Sequence, residues 1–235
     1  MARATASPPV RPDAELFKLL RTELFTAVVG DVLDAMGLRR QFLPPGLAPL
    51  KPDMKITGRA MPVLEADAYD AVGSGQGPLT KAPFGLLFRA LDDLKPGEVY
   101  IANAPSLTYA LWGGLMTTRA LHLKAAGAVL DGMVRDAGEI EALGFPVFSR
   151  GLYAQDQGPR GKVVDFRCSL EIGGVRITPG DLVFGDREGV LIIPKAAESE
   201  AIRRALEKLR TENKVADAIR AGMSTAEAFE TFGVM

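Results

Sequence analysis

The chain has 235 residues, of which 47% are hydrophobic and 24% charged, and its formal net charge at pH 7 is −1. This composition is typical of a globular protein with a full hydrophobic core. Because acidic and basic residues balance, no excess positive charge is available to neutralise a phosphate backbone, and nucleic acid is excluded as an expected partner. One cysteine and one histidine are too few for an internal disulfide, a thiolate metal site or a histidine metal site.

Residues 1–12 are rich in small residues and proline, and they predict a disordered tail without the apolar stretch of a secretory signal. No run of about 18 apolar residues is present, so we expect no membrane-spanning helix, no membrane partner and a cytoplasmic location. The patterns that follow predict a single catalytic α/β domain over residues 13–195 and a C-terminal helical arm over residues 196–235.

The first half of the chain begins with helical patterns. Gly37 closes the second predicted helix, because glycine is common just after a helix ends. The predicted elements are helices at residues 13–21 and 26–36, a loop at 38–53, a strand at 55–66, a loop at 73–78, a helix at 84–94 and a strand at 99–102.

The second half alternates helices and strands before it becomes rich in strands. The Gly-Gly pair at residues 173–174 lies between two alternating runs and predicts a hairpin, while Ser224 and Glu227 match a capping box. The whole order indicates a layered α/β fold with a mixed sheet. The predicted elements are helices at 115–126, 137–143 and from 196, strands at 128–132, from 147, and at 163–172, 175–177 and 190–193, and turns at 179–181 and 185–186.

One segment, residues 111–148, brings several chemically useful groups towards one edge of the predicted sheet. Gly113 and Gly114 precede a helix, and a glycine pair at a helix N-terminus lets backbone N–H groups approach an anion closely. The predicted helix is ~18 Å long and the strand that returns from it ~20 Å. Because these lengths match, Arg135 and Asp136 after the strand should lie beside the glycines, at the edge where open α/β sheets bind ligands.

Each of these groups suits a separate chemical role. The amide groups can hold a substrate carboxylate, and Asp136 is a hard oxygen ligand for Mg²⁺ or Mn²⁺. Arg135 is always charged and can stabilise an enolate oxygen. Glu139 lies one helical turn beyond Asp136, where it can hold a metal-bound water or act as a base. The same spacing also fits a helix N-cap with a glutamate at its third position, so a purely structural interpretation stays open.

Other candidate sites are less well supported by the sequence. The glycine-rich loop at residues 73–77 is not framed by a strand and a helix, which disfavours a nucleotide site. His122 lies within a predicted helix, and we expect a packing or surface role for it. Lys124, Lys162 and Lys195 lie in polar or turn contexts, which disfavours a Schiff-base mechanism because that chemistry requires a desolvated lysine.

The central segment resembles the RraA-like family, which includes the 4-hydroxy-4-methyl-2-oxoglutarate and 4-carboxy-4-hydroxy-2-oxoadipate aldolases. The family motif is a glycine, twenty residues, Arg-Asp, two residues, and then Glu or Asp. Here Gly114, Arg135, Asp136 and Glu139 match that motif. The segments GGLMTTRA and GFPVFSRG are also similar to the family, and weaker agreement extends over residues 20–195.

The resemblance implies a β/β/α swivelling-domain sandwich, a homotrimer or homohexamer, and Mg²⁺-dependent retro-aldol cleavage, with oxaloacetate decarboxylation as a further activity. Carried over by position, Arg135 binds substrate and Asp136 binds the metal. The loop that binds the substrate through its backbone amides consists of Gly113, Gly114, Leu115 and Met116.

The chain departs from the family at two places. Some family aldolases have an aspartate where Gly114 stands, so we expect Glu139 to carry more of the acidic work. Residues 68–83 match poorly, which leaves the far end of the substrate undefined.

The sequence therefore predicts a metal-dependent lyase that cleaves a 4-hydroxy-2-oxo acid to pyruvate and a second carbonyl compound. The alternative is a non-catalytic regulator of ribonuclease activity that binds a partner protein, as the family name suggests. We also expect a homotrimer or larger assembly, because the predicted helix from Ala196 carries an apolar stripe.

Overall fold

The computed structural model describes residues 12–69 and 76–234. The chain divides into two compact units, one formed by Arg40–Lys195 and the other by the described parts of Met1–Arg39 and Ala196–Met235. The predicted tail, apart from its last residue, and residues 73–75 of the predicted glycine-rich loop lie outside the described residues. The predicted limits of a catalytic domain at residues 13–195 and of an arm at residues 196–235 stay predictions.

The described residues form helices and strands that alternate along much of the chain. The helices are α1 (Asp13–Glu23), α2 (Thr26–Ala35), α3 (Pro78–Lys81), α4 (Leu87–Asp92), α5 (Gly114–His122), α6 (Ala137–Leu143), α7 (Glu198–Arg220) and α8 (Thr225–Phe232). The strands are β1 (Ala48–Pro49), β2 (Ile56–Asp67), β3 (Glu98–Asn103), β4 (Ala110–Trp112), β5 (Gly127–Asp131), β6 (Met133–Val134), β7 (Val147–Ser149), β8 (Gly151–Leu152), β9 (Gly161–Phe166), β10 (Leu170–Ile172), β11 (Val175–Ile177), β12 (Leu182–Asp186) and β13 (Gly189–Ile193).

The main sheet is mixed, as the sequence predicts. Its strands follow the order β1-β7-β5-β3-β2-β12-β13, and β9 also pairs with β2. The pairs β2–β3, β3–β5 and β5–β7 are parallel, whereas β12 is antiparallel to both β2 and β13. The parallel part arises where strands alternate with helices along the chain, because parallel neighbours need a crossover connection.

The two faces of the main sheet pack against different layers, and strand β3 illustrates the division. Tyr100 and Ala102 belong to a core cluster shared with residues of α4, α5 and α6. Val99 and Ile101, which point to the opposite face, belong to a cluster shared with the β10–β11 hairpin. The predicted layered α/β fold is therefore confirmed.

A second, smaller sheet contains β4, β6 and β8. All of its pairs are parallel, with Trp112 opposite Val134 and Val134 opposite Leu152. Trp112 is buried, its ring stacks on that of Phe145 with centroids 6.1 Å apart, and its indole N–H donates to Thr117 Oγ1 at 2.7 Å. Because the strands are parallel and their last residues pair, the segments that follow them start at one edge.

The hairpin predicted at residues 173–174 is confirmed. Ile172 pairs with Val175, and the two glycines between them both have left-handed φ angles, 57° and 83°. A two-residue turn with positive φ at both positions is the type that glycine pairs favour.

The predicted strand at residues 163–172 is wrong in one respect, because β9 and β10 are separated at residues 167–169. Arg167 has a φ of 56°, which ends β9. Its guanidinium donates to Asp93 and, at 2.8 Å, to Glu98 Oε1. These partners are distant in sequence, so the alternating pattern alone gives no sign of the break.

Two further boundaries differ from the prediction, and one strand is missing from it. The helix predicted at residues 84–94 begins only at Leu87, because Phe84 and Gly85 have positive φ angles of 60° and 62°. The helix predicted at residues 115–126 ends at His122, two residues before Lys124 turns the chain with a φ of 61°. Strand β12 is missing from the prediction, because it is buried along its whole length and lacks alternation.

In the unit formed by the chain ends, α2 packs on α7, and Ile202 and Ala205 of α7 are buried. Lys208 Nζ lies 3.2 Å from Asp31 Oδ2 of α2. The predicted capping box is confirmed at α8, where Ser224 Oγ accepts from the Glu227 N–H at 3.2 Å. Across the described residues, no helix combines the length and the apolar character that crossing a bilayer requires.

Candidate functional site

The small parallel sheet determines which residues meet at the candidate site. Gly113 follows β4, Arg135 follows β6 and Tyr153 follows β8. The Arg135 N–H donates to the Trp112 carbonyl at 3.0 Å, and the Tyr153 N–H donates to the Val134 carbonyl at 2.9 Å. The start of α5 and the end of β6 thus lie together, so the predicted proximity of the glycine pair and Arg135 is confirmed.

Asp136 occupies the N-cap position of α6, but its side chain makes no capping hydrogen bond. Its backbone is left-handed, with φ 57° and ψ 32°, and its Oδ2 accepts from the Gly114 N–H at 3.0 Å instead. The capping-box interpretation of Asp136 and Glu139 is therefore wrong. A left-handed backbone costs about 1 kcal/mol or more at any residue other than glycine, although aspartate tolerates this conformation better than most residues. Residues in this conformation cluster at functional sites.

Carboxylates closely approach both glycines at the start of α5. A Cβ built on Gly113 would lie 2.7 Å from Asp136 Oδ2, and one on Gly114 would overlap Glu139 Oε2. The Glu139 carboxylate therefore lies directly beside Gly114, in the space that an aspartate would enter in the other version of the family motif. The expectation that Glu139 carries more of the acidic work stays a prediction.

Arg135 is held between two carboxylates. Its Nη1 lies 2.9 Å from Asp156 Oδ1 and its Nε lies 3.8 Å from Asp136 Oδ2. All three side chains are between 40% and 45% exposed, so they remain accessible to a ligand. The sequence analysis did not identify Asp156, because it lies in the loop after β8 and belongs to no local motif.

These residues line a cavity of about 320 Å³, a volume suited to a small ligand. All four residues of the predicted amide loop line it, as do Arg135 and Asp136, whereas Glu139 is not part of its wall. The lining consists of Phe84, Leu87, Phe88, Ala110, Leu111, Trp112, Gly113, Gly114, Leu115, Met116, Arg135, Asp136, Asp156 and Gln157.

One polar residue of the lining leads into a buried network that the sequence analysis missed. Gln157 Nε2 donates to Glu65 Oε2 at 2.8 Å, and Glu65 is only 3% exposed. Burial raises the pKa of Glu65 to about 8, partly offset by the hydrogen bond from Gln157. Glu65 Oε1 and the Tyr100 hydroxyl are the buried side-chain atoms without a hydrogen-bond partner in the part of the chain that the structure describes.

The available metal donors are few. Among the described residues, no group of three or more His, Cys, Asp or Glu side chains is placed to hold a metal ion. A cage built from protein ligands alone is therefore not offered by these residues. One or two carboxylates completed by water and substrate oxygens are, by contrast, the usual donor set for Mg²⁺.

Two residues that the sequence analysis set aside differ in their surroundings. His122, at the end of α5, is exposed and lies outside the cavity wall. Lys162 is buried, at 3% exposure, and its Nζ donates to the Ala82 carbonyl at 2.9 Å. The expectation of a polar or turn context was wrong for Lys162, but this lysine does not line the cavity either.

Comparison with known proteins identifies the family. Residues 26–192 match the RraA-like family, described as Aldolase/RraA. Protein DlpA of Legionella pneumophila is 30% identical over 210 residues, which cover 88% of this chain and 32% of that protein. A protein of Halalkalibacterium halodurans named "Putative 4-hydroxy-4-methyl-2-oxoglutarate aldolase" is 35% identical over 123 residues, which cover 52% of this chain and 58% of that protein. The chain thus spans about a third to three fifths of the length of these relatives.

Two solved structures cover almost the whole fold. An uncharacterized protein from Pseudomonas syringae has a TM-score of 0.80 at 25% identity, covering 99% of this chain and all of that one. Streptomyces coelicolor RraAS2, described as an unusual member of the RNase ES inhibitor RraA protein family, has a TM-score of 0.73 at 25% identity, covering 88% of this chain and 98% of that one. Because the family match extends over most of the sequence, the chain belongs to the RraA-like (Aldolase/RraA) family.

Proposed function

We propose that the protein is a divalent-metal-dependent carbon–carbon lyase that cleaves a 4-hydroxy-2-oxo acid to pyruvate and a second carbonyl compound. The observation that carries this proposal is the orientation of Asp136. Its left-handed backbone turns the carboxylate away from α6 and into the wall of the cavity, beside Arg135 and the start of α5. Relatives named as 4-hydroxy-4-methyl-2-oxoglutarate aldolases support the same class of reaction.

Groups for binding the 2-oxo acid end of the substrate lie around Asp136. The N–H groups of Leu115 and Met116 belong to the first turn of α5, where a helix provides no acceptor of its own. They point a partial positive charge at the cavity and suit a carboxylate. The Gly114 N–H already donates to Asp136, so its role is to orient that carboxylate. Arg135 adds a full positive charge at the same edge.

The donor set fits Mg²⁺, with Mn²⁺ as the alternative. Asp136 would hold the ion, and the nearby Glu139 would hold one of its waters. When bound, the metal would supply Lewis-acid polarisation of the substrate's keto oxygen. Asp136 and Arg135 lie close enough together for both to act on the same end of the substrate.

The residues of the chain also suit the proton and charge movements of the reaction. A base takes the proton of the C4 hydroxyl, the C3–C4 bond breaks, and its electron pair forms the enolate of pyruvate. Arg135 stabilises the negative enolate oxygen, and Asp156 fixes the guanidinium in place. Glu139, packed against Gly114 outside the cavity wall, is the carboxylate that suits the proton transfer through a bridging water. A proton added to C3 then completes pyruvate.

The same enolate forms when oxaloacetate loses carbon dioxide, so one site can catalyse both reactions. This gives a simple assay, since release of pyruvate from oxaloacetate requires no knowledge of the natural substrate. We expect Mg²⁺-dependent release that excess EDTA abolishes and that added Mg²⁺ or Mn²⁺ restores. Full activity in EDTA, or trapping of the substrate on the protein by borohydride, would contradict a metal-dependent mechanism.

The second candidate function is regulation of a ribonuclease through binding of a partner protein. It is supported by the likeness to RraAS2, which is described as an unusual member of the RNase ES inhibitor RraA protein family. The assay separates the two candidates, because a regulator without catalytic activity would release no pyruvate at any metal concentration. The cavity with its turned-in Asp136 favours the lyase, since a surface for protein binding has no use for it.

A further inference from the structure

We propose that the substituent on C4 of the substrate is uncharged and apolar, so that the second product is an aldehyde or ketone without a carboxylate. This inference rests on the proposed lyase function and concerns the half of the cavity away from Asp136. The relatives named after 4-hydroxy-4-methyl-2-oxoglutarate imply a substrate with a carboxylate at that end. The charge and the polarity of the residues that line this cavity are both unsuited to such a carboxylate.

The first argument is charge. Among the described residues that line the cavity, Arg135 is the one cationic side chain, and it is already paired with Asp156. Its remaining capacity is needed for the 2-oxo acid end of the substrate. Asp136 and Asp156 make the rest of the charged lining negative. A second substrate carboxylate would therefore lie near two negative charges without a cationic partner, and any loss of its hydration would be unfavourable.

The second argument is the apolar wall. Phe84, Leu87 and Phe88 line one part of the cavity, and the two phenylalanine rings pack edge to face with centroids 5.5 Å apart. Phe88 is 59% exposed and Leu115 is 87% exposed, so both present apolar surface that a bound ligand would cover. An alkyl or aryl group is the kind of substituent that gains from such burial.

The third argument is that this wall is fixed before any ligand binds. Phe84 has a left-handed backbone, and its carbonyl accepts from the Val163 N–H at 3.2 Å. Its ring lies against Gly158, where a Cβ would be only 3.2 Å from the ring. The one neutral polar side chain in the lining, Gln157, is already engaged with Glu65. Rearrangement of these side chains therefore does not readily bring polar groups into the wall.

The test compares substrates that differ only at the far end. In 4-hydroxy-4-methyl-2-oxopentanoate, a methyl group replaces the far carboxylate of 4-hydroxy-4-methyl-2-oxoglutarate. Each cleavage breaks C3–C4, moves the hydroxyl proton to a base and returns a proton to C3, giving pyruvate plus acetone or pyruvate plus pyruvate. We expect kcat/KM for the apolar substrate to exceed that for the dicarboxylate by tenfold or more, and 4-hydroxy-2-oxo-4-phenylbutanoate to be cleaved as well.

A variant makes the test independent of the intrinsic reactivity of the two substrates. Phe88→Arg adds a cation at an exposed position of the wall and should shift the ratio of the two kcat/KM values at least tenfold towards the dicarboxylate. Phe229→Arg is the matched control, because Phe229 is 57% exposed on α8 and does not line the cavity. The control should leave the ratio unchanged.

The outcomes separate this inference from the proposed function. A wild-type preference for the dicarboxylate, or a ratio that Phe88→Arg does not change, would overturn the apolar assignment while the lyase function stands. If oxaloacetate and all three hydroxy acids released no pyruvate in the presence of Mg²⁺, the proposed function and this inference would fail together.

Discussion

At the scale of single residues, Asp136 differs most from its sequence-based interpretation. The spacing from Asp136 to Glu139 is what a helix N-cap requires, and the residue does occupy the N-cap position. Its side chain nevertheless accepts from Gly114, in a segment that precedes it by more than twenty residues. The local sequence pattern thus predicts that Asp136 begins α6. The hydrogen bond from the distant Gly114 N–H determines where its carboxylate points.

Arg135 gives the first test at this scale. Arg135→Lys keeps the positive charge but loses the planar guanidinium that reaches Asp156. If Arg135 stabilises an enolate, turnover should fall by roughly a hundredfold, the scale seen when a preorganised donor is removed. Arg150→Lys is the matched control, since Arg150 pairs with Asp131 at 2.6 Å outside the cavity lining. Equal turnover in the two variants would contradict the role of Arg135.

The raised pKa of Glu65 predicts how the stability of the folded protein depends on pH. Its pKa is raised from 4.5 to about 8 in the folded protein, so between these values the folded state holds a proton that the unfolded state has released. The free energy of unfolding therefore decreases as pH rises across this window, by at most about 1.4 kcal/mol per pH unit. Tyr100 and Tyr109 interact electrostatically with Glu65, and Gln157 donates a hydrogen bond to its carboxyl group.

Glu65→Gln removes this proton and keeps a side chain that can bond to Gln157. The melting temperature of the variant relative to wild type should therefore rise steadily from pH 5 to pH 8, with the variant the more stable protein at the upper end. Thermal unfolding at several pH values measures this directly. A difference that stays constant with pH would show that Glu65 is already ionised at pH 5.

At the scale of elements, sequence patterns predict those parts of the fold that local chemistry determines. Helix α6 has the predicted boundaries, and the glycine pair at residues 173–174 forms the predicted turn. The errors occur where distant contacts decide the conformation. Arg167 ends β9 because Asp93 and Glu98 hold its guanidinium, and no pattern near residue 167 records those partners.

The candidate site follows the same division. The residues near Gly114 and Arg135 could be predicted because they lie in one continuous segment, in which a helix is followed directly by a returning strand. Asp156, Glu65 and Phe84 could not, since each lies on a separate element and reaches the site only through the sheets. Asp156 forms the ion pair with Arg135, Glu65 is the buried carboxyl group, and Phe84 belongs to the apolar wall. The sequence therefore predicts the end of the cavity near Asp136 but not its far end.

The contact between α5 and α6 provides a test at this scale. Gly114→Ala would place a methyl group against the Glu139 carboxylate and displace it, so we expect turnover to fall tenfold or more. Gly138→Ala is the control, because nothing lies within 4 Å of a Cβ at that position of α6. In a helix this second change should be neutral or stabilise by roughly 0.4–1 kcal/mol. Pyruvate release measured beside the melting temperature distinguishes a displaced Glu139 from a misfolded protein.

At the scale of the whole molecule, we propose assembly into a homotrimer or larger, as the family resemblance implies. The apolar stripe of α7 no longer supports it, because Ile202 is buried within its own unit. Better support comes from large apolar side chains exposed in the Arg40–Lys195 unit, since patches of this kind mark interaction sites. They include Leu152 and Tyr153, which lie outside the cavity lining and are 63% and 45% exposed. Sedimentation at micromolar concentration should give a trimer or hexamer, and a monomer would contradict the proposal.

The central claim is that Asp136 serves a metal-dependent reaction and does not cap α6. The most direct measurement is Mg²⁺-dependent release of pyruvate from oxaloacetate by wild type and Asp136→Asn, with melting temperatures recorded on the same samples. Asparagine caps helices and tolerates left-handed backbone about as well as aspartate, so the fold should survive. We predict equal stability and a loss of turnover of roughly a hundredfold or more, the scale of losing an essential electrostatic group. A folded Asp136→Asn protein with wild-type turnover would contradict the account.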